Sequence, residues 1–310
     1  MHPPARPIAA VLAAAVLFGT SGAALALGPD SATPLGVGAV RIGLGVVVLW
    51  LAIAISPARS TVSSAIRSNR RLMALGGAGV ATYTPAFFAA VERMGVAMGT
   101  VVAIGSGPFF AGALEWAWRG VRPSRAWLLG TVITVTGGTI LVVAQSGGDG
   151  AELDGVDGLM FALLSGAGYA LYSVTSKTTM ARGVDPTLAL AGPFSVGVAV
   201  VAVLAAREPF DWLVTGSGAL MAIHLGVVAT GVAYLLFGFG LHRLTTATTV
   251  TLVLAEPVTA TLLAVVVLDE SLAAFAWVGI VVLLAGLVVV GRSARLAPTD
   301  ELGAGSAQSV

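Results

Sequence analysis

Thr245–Val290 reads TTATTVTLVLAEPVTATLLAVVVLDESLAAFAWVGIVVLLAGLVVV. It holds two apolar runs of about 20 residues joined by the charged turn Asp269-Glu270-Ser271, and each run can cross a hydrocarbon core of about 30 Å as a helix. The runs are continuously apolar rather than alternating, which selects helices over the strands of a membrane barrel. Near the middle of the first run, Glu256 is followed at once by Pro257. A charged, unpaired carboxylate at that depth is costly. The proline removes a backbone donor and kinks the helix. Two such costs side by side mark a candidate site.

The whole chain shares this character. Hydrophobic residues make up 57% of it and charged residues 10%, against roughly one quarter charged in a soluble domain. It reads as an all-α integral membrane protein. The net charge of +1 leaves no basic surface for nucleic acid. Cysteine is absent, which excludes a disulfide framework, a thiol nucleophile and a cysteine metal site. No cofactor is expected. A single lysine against 15 arginines, with abundant Ala, Gly and Val, fits a GC-rich bacterial genome and hence a bacterial cytoplasmic membrane. Arg6 with the following apolar run and Ala24-Leu25-Ala26 resembles a signal peptide, but the run exceeds the usual 7–15-residue core and is read as a first spanning helix.

Ten apolar segments are expected, at about 7–27, 34–55, 72–91, 96–118, 126–144, 158–180, 187–205, 217–239, 246–268 and 272–291. With the N-terminus in the cytoplasm, 13 of the 16 Lys and Arg residues fall inside, Arg93 and Arg207 fall outside, and Arg41 lies within a helix. The acidic residues Asp149, Glu152, Asp154 and Asp157 then lie outside. Both termini are expected in the cytoplasm, with residues 296–310 as a polar, disordered tail.

A shift of 149 residues superposes Pro108 on Pro257, Ala111 on Ala260, Leu114 on Leu263, Gly130 on Gly279 and Gly137 on Gly286. Phe18-Gly19 and Tyr169-Ala170 form a weaker echo, and Pro34 and Pro186 each open a segment. The expected units are a five-helix repeat over 1–146 and a second over 147–295. An odd helix number inverts the second copy, an architecture frequent in secondary transporters. One chain then contains a complete pathway, so a monomer suffices and a dimer is compatible.

These residues carry a family resemblance. The run from Ala255 to Gly286, with Glu256-Pro257, the turn Leu268-Asp269-Glu270-Ser271-Leu272, and Gly279 and Gly286, resembles the ninth and tenth helices of EamA-type transporters of the drug/metabolite transporter superfamily. Gly107-Pro108 stands at the matching place of the first repeat, and Arg41 sits where the family often has arginine. The first helix departs from the pattern: Phe18 replaces a frequent tryptophan, a lysine later in that helix is missing, and Lys177 takes the related place in the second repeat. The resemblance implies amino acids or related small metabolites as substrates, with drug-like compounds also within the family's range.

Candidate residues follow from the chemistry. On a helical wheel Thr245, Thr249, Leu252, Glu256 and Thr259 share one arc. Glu256 is read either as a cavity carboxylate binding a proton or an amino group, or as a hydrogen-bonded group holding helices together. Pro108 and Pro257 are hinge candidates whose freed carbonyls face a polar cavity or are rescued by Ser106 or threonines. Arg41 can clamp a carboxylate or phosphate, or snorkel outward. Tyr83, Tyr169 and Tyr172 can line a pocket or simply pack. His224 can relay protons or rest on a carbonyl. Glu115 and Arg119 are expected to pair along one helix face, Trp116 and Trp118 to anchor at the interface, and Lys177 to snorkel.

Taken together these features are expected of a secondary transporter that moves a small metabolite outward by alternating access, driven by the substrate gradient or by a coupled ion, with Glu256 a candidate for proton coupling. No Walker-type loop is present for ATP. The alternatives are a membrane-embedded enzyme, for which no HExxH, Gly-x-Ser-x-Gly with a partner, or Asp/His cluster is found, and a non-transporting scaffold.

Overall fold

The computed structural model describes residues 5–145, 156–269 and 271–296. Asp149, Glu152, Asp154, Glu270 and the expected tail beyond residue 296 lie outside the described residues. Those described form helices and connections, with no strand among them.

The helices are α1 (Ala5–Ala26), α2 (Pro34–Ala54), α3 (Val62–Arg119), α4 (Arg125–Gln145), α5 (Val156–Ala181) and α6 (Pro186–Leu204). A composite stretch follows: α7 (Gly216–Ile223), a π-helical segment His224–Val232, and α8 (Ala233–Arg243). Then come α9 (Thr246–Val253), α10 (Glu256–Val267) and α11 (Ala274–Leu296). Among the described residues, nine stretches are long and apolar enough to cross a membrane. The protein is a multi-pass membrane protein.

The expected segment near 96–118 is the second arm of α3. Its 58 residues cannot form one straight rod across a bilayer; the backbone leaves the helix at Gly95, with φ 77° and ψ 161°. That left-handed geometry favours glycine. The chain reverses there, because a Cβ added at Gly99 would lie 2.9 Å from the Cα of Val91. The two arms therefore pack on each other.

The prolines predicted to open helices do so. Thr33 caps α2 by accepting from Gly36 N at 3.2 Å, with Pro34 in the first turn. Asp185 caps α6 by accepting from Thr187 N at 2.8 Å and Leu188 N at 3.2 Å, with Pro186 following. Side-chain acceptors satisfy donors that the helix leaves open, and proline needs none there.

Two faces can be told apart. On one, the start of α2 meets Glu208 and Phe210 beside Gly36, and Arg93 Nε donates to Asp157 Oδ2 at 3.1 Å. On the other, Arg182 Nη1 donates to Asn69 Oδ1 at 3.3 Å, and Lys177 Nζ reaches the end of α8.

The glycines that matched in the repeat meet in space. Along the α4–α11 crossing, Gly130 lies against the Gly286 carbonyl and Gly137 against the Gly279 carbonyl. Close backbone approach of this kind uses small residues. A Cβ at Gly137 would land on the Leu283 backbone, whereas one at Gly138 would meet Leu283 Cδ1 at an ordinary 3.7 Å. Gly137→Ala is therefore expected to cost about 1–3 kcal/mol through overpacking. It should lower the denaturation midpoint of the detergent-solubilised protein, while Gly138→Ala leaves that midpoint unchanged.

Candidate functional site

Inside the bundle lies a cavity of about 380 Å³. Its walls come from α1 (Phe18), α2 (Arg41, Ile42), both arms of α3 (Tyr83, Phe87; Ala103, Ile104) and α5 (Ser165, Tyr169). The π segment and α8 add Thr230 and Tyr234, and the α9–α10 region adds Val250, Val253 and Glu256. The cavity extends along α1 and α2 to Leu25, Ala32 and Pro34, on the face that carries Arg93 and Asp157. Arg41 and Glu256 are its charged lining residues.

A break in the ninth segment brings Glu256 there. The last amides of α9 turn to nearer carbonyls: Leu254 N donates to Thr251 O at 3.0 Å and Ala255 N to Leu252 O at 3.2 Å. A new helix, α10, then starts at Glu256 with Pro257 in its first turn, where the missing N–H costs nothing. Gly19 of α1 lets this junction approach: a Cβ there would sit 2.7 Å from the Glu256 carbonyl oxygen and 2.6 Å from Thr259 Cβ.

Arg41 is held by the π segment. Gly45 of α2 leaves room for Thr230, Gly226 for Leu44 and Gly231 for Val48, so α2 and the π segment lie close together. Widening the helix by one residue per turn redirects its side chains, and such segments are frequent at functional sites. Thr230 Oγ1 donates to Leu225 O, five residues back, at 2.7 Å, and accepts from Arg41 Nε at 2.9 Å. Arg41 Nη2 lies 3.5 Å from Ala229 O. The guanidinium is thus fixed along one edge, and its remaining donors are left for a carboxylate or phosphate.

Phe18, Tyr83, Tyr169 and Tyr234 give the same cavity an aromatic lining, with buried Phe194 packed on Tyr234. Phe18 and Phe194 meet Tyr234 edge-on, with centroids at 5.2 and 4.5 Å, and Tyr83 meets Tyr169 at 6.3 Å. Edge-to-face packing of this sort stiffens an apolar wall. The site can therefore hold an apolar body while presenting one fixed cation and one carboxylate.

Of the residues singled out in the sequence, Glu256, Arg41, Tyr83 and Tyr169 come together in the cavity. Others go elsewhere. Tyr172 is buried behind the wall, its hydroxyl 3.0 Å from that of Tyr234. Thr249 is buried and returns its Oγ1 to Thr245 O at 2.9 Å. Thr259 packs on Gly19, and Ser106 donates to Ala103 O at 3.2 Å beside Gly166. The single polar arc fails because the break at Leu254 and Ala255 re-sets the wheel, and threonines bond back to their own turn. His224 lies 2.8 Å from Thr20 Oγ1, tying α1 to the π segment. Pro108 sits in α3 without a break in helical geometry, unlike Pro257.

One charged residue differs from expectation and another exceeds it. Lys177 does not snorkel. It is buried and donates to Leu241 O at 2.7 Å and His242 O at 2.8 Å, closing the end of α8. Glu115 does pair with Arg119, at 3.1 Å, but its carboxylate also accepts from Thr246 N, Thr246 Oγ1 and Ala247 N. Thr230 and Tyr234 were missed: a π segment has no periodic signature in the sequence, and Tyr234 is a lone aromatic hydroxyl in an apolar helix.

The model of the EamA-like transporter family matches residues 5–143 and 157–292. The chain belongs to the EamA-like transporter family. Among relatives of this EamA-like protein, the uncharacterized transporter YwfM of Bacillus subtilis is 37% identical over 291 residues, covering 94% of this chain and 95% of that one. An uncharacterized protein of Pseudomonas aeruginosa is 27% identical over 228 residues, covering 71% and 75%. A solved structure, described only as the crystal structure of a protein, superposes with a TM-score of 0.80 at 24% identity, covering 94% of this chain and 99% of that one. That likeness concerns the fold of this EamA-like protein.

Proposed function

We propose that this protein is a secondary transporter of a small zwitterionic metabolite, an amino acid or a close relative, exported across a bacterial cytoplasmic membrane by alternating access. The observation that carries this reading is the cavity, with Arg41 and Glu256 set in aromatic walls. Arg41 takes the substrate carboxylate and Glu256 its ammonium group. Between substrates Glu256 accepts a proton, which would couple transport to the proton gradient.

The architecture in this reading is ten crossings in two inverted five-helix repeats, residues 1–146 and 147–295, with both termini cytoplasmic. The reversal at Gly95 supports the tenth crossing. The glycine contacts support the inversion: exchanging each glycine for its repeat partner turns the Gly130–Gly286 contact into the Gly279–Gly137 contact, as a twofold axis requires. The surplus of Lys and Arg on the face of Lys177 and Arg182 supports the orientation. The cavity then faces outward.

The test is extracellular metabolite profiling by mass spectrometry in bacteria with and without the protein. Accumulation of one amino-acid-like compound outside the expressing cells is expected. Depletion of that compound outside would make the protein an importer, and no change across amino acids and related zwitterions would sink the substrate class. Once a substrate is in hand, Thr230→Val should raise its KM about 5–10-fold, since it removes one charge-assisted hydrogen bond to Arg41. Vmax should stay near wild type, and Thr230→Ser should restore KM.

A further inference from the structure

The face opposite the cavity mouth is closed by a buried carboxylate. Glu115 is 1% exposed and receives four hydrogen bonds. Three come from the start of α9: Thr246 N at 2.9 Å, Thr246 Oγ1 at 2.9 Å and Ala247 N at 3.1 Å. The fourth comes from Arg119 on its own helix. A carboxylate suits this place because the amides of a helix N-terminus are unpaired and its dipole is positive there. Next to Glu115 along α3, buried Ala111 packs with Ala170 and with Val250, which also lines the cavity wall. Along α3, Glu115 stands about 16 Å beyond Ile104 of the cavity wall, at 1.5 Å per residue.

We propose that Glu115 is a reversible latch that holds this face shut, and that its release from Thr246 and Ala247 is the step that opens the cavity to the other side. The proposal rests on the alternating-access reading and goes beyond it. Three features make the contact a latch rather than a fixed cap. It joins the first half of the chain to the second, so it must break if the halves separate on this face. Glu115 keeps Arg119 as a partner four residues along its own helix when it lets go. The start of α9 also keeps a cap, because Thr245 Oγ1 accepts from Thr248 N at 3.2 Å. Lys177, on α5, stays with the end of α8, since both lie in the second half and move together. Opening therefore leaves Glu115 with Arg119 and α9 with its Thr245 cap, while Thr246 N and Ala247 N exchange the carboxylate for the water that enters this face, which keeps the free-energy cost low.

The natural absence of cysteine supplies the test. A single Ala111→Cys reporter sits between cavity and latch in the full chain, with membrane-impermeant cationic methanethiosulfonate as the probe and no substrate added. In right-side-out and inside-out membrane vesicles, slow labelling is expected with Glu115 intact. Glu115→Gln should speed labelling about 10-fold from the latch face, equivalent to about 1.4 kcal/mol. Labelling of a second reporter, Ile42→Cys, from the cavity mouth should slow at the same time. Thr246→Val removes one of the four bonds and should give a smaller rise of the same sidedness. It carries the test if Glu115→Gln does not accumulate in the membrane. An unchanged rate at Ala111→Cys overturns the latch. So does an equal rise from both faces, which would mean general loosening of the fold. Because no substrate is present, a failure to find one in metabolite profiling leaves this result standing, and a failed latch leaves the transport reading intact.

Discussion

Replacing Glu256 with glutamine is expected to reduce transport of a zwitterionic substrate by about 30-fold or more at matched membrane levels, since truncating one partner of a buried charge pair costs about 2–5 kcal/mol. The side chain keeps its shape and position in the first turn of α10, so the fold should persist. What is lost is the negative charge facing the substrate ammonium and the site that would carry a proton. The measurement is export of the identified compound from cells expressing each form, together with the thermal shift that compound produces on the purified protein. Both should vanish together. Full export by Glu256→Gln would demote the carboxylate to packing, and a retained thermal shift with lost export would assign it to coupling alone.

Arg41→Lys should have the second-largest effect, a loss of about 10–100-fold in affinity for substrates that carry a carboxylate. Lysine preserves the charge but not the planar fork, so it cannot hold Thr230 Oγ1 along one edge and a carboxylate along the other. The decarboxylated amine of the same substrate should bind equally to both forms. Competition by that amine against the labelled substrate would separate the two cases. An equal loss for acid and amine would mean that Arg41 shapes the bundle through α2 and the π segment rather than recognising a ligand.

Much of the fold was legible because hydropathy acts along a local stretch of chain. A run of about 20 apolar residues must bury its backbone polar groups in a helix whatever its neighbours do. Pro34 and Pro186 were legible as helix starts for an equally local reason. The glycine pairs could be read as repeat partners, though not as contacts with each other: Gly130 matches Gly279 in sequence yet touches Gly286. Glu256 stood out because a carboxylate inside an apolar run is rare and expensive. Arg41 stood out for the same reason, but its partner Thr230, 189 residues away, could not be read beside it.

The threonine stripe shows where such reading ends. A helical wheel assumes one uninterrupted helix, and α9 ends at Val253. Past that break the directions of Thr259 and Glu256 no longer follow from Thr245 and Thr249. The place of Lys177 and the further partners of Glu115 could not be read for a related reason: each meets backbone groups of a helix end distant in sequence, and periodicity carries no record of that meeting.

By itself, then, the sequence determined that this chain crosses a membrane as helices, that prolines and glycines recur at a spacing of 149 residues, and that Glu256 with Pro257 marks a costly place. Length, hydropathy and spacing are properties of neighbouring residues and survive without knowledge of packing. Only the tertiary structure decided that Arg41, Glu256 and the tyrosines Tyr83, Tyr169 and Tyr234 share one cavity, while Thr249, Ser106 and His224 do not. That outcome depends on how each helix is rotated against the others, and here a π segment and a helix break set those rotations.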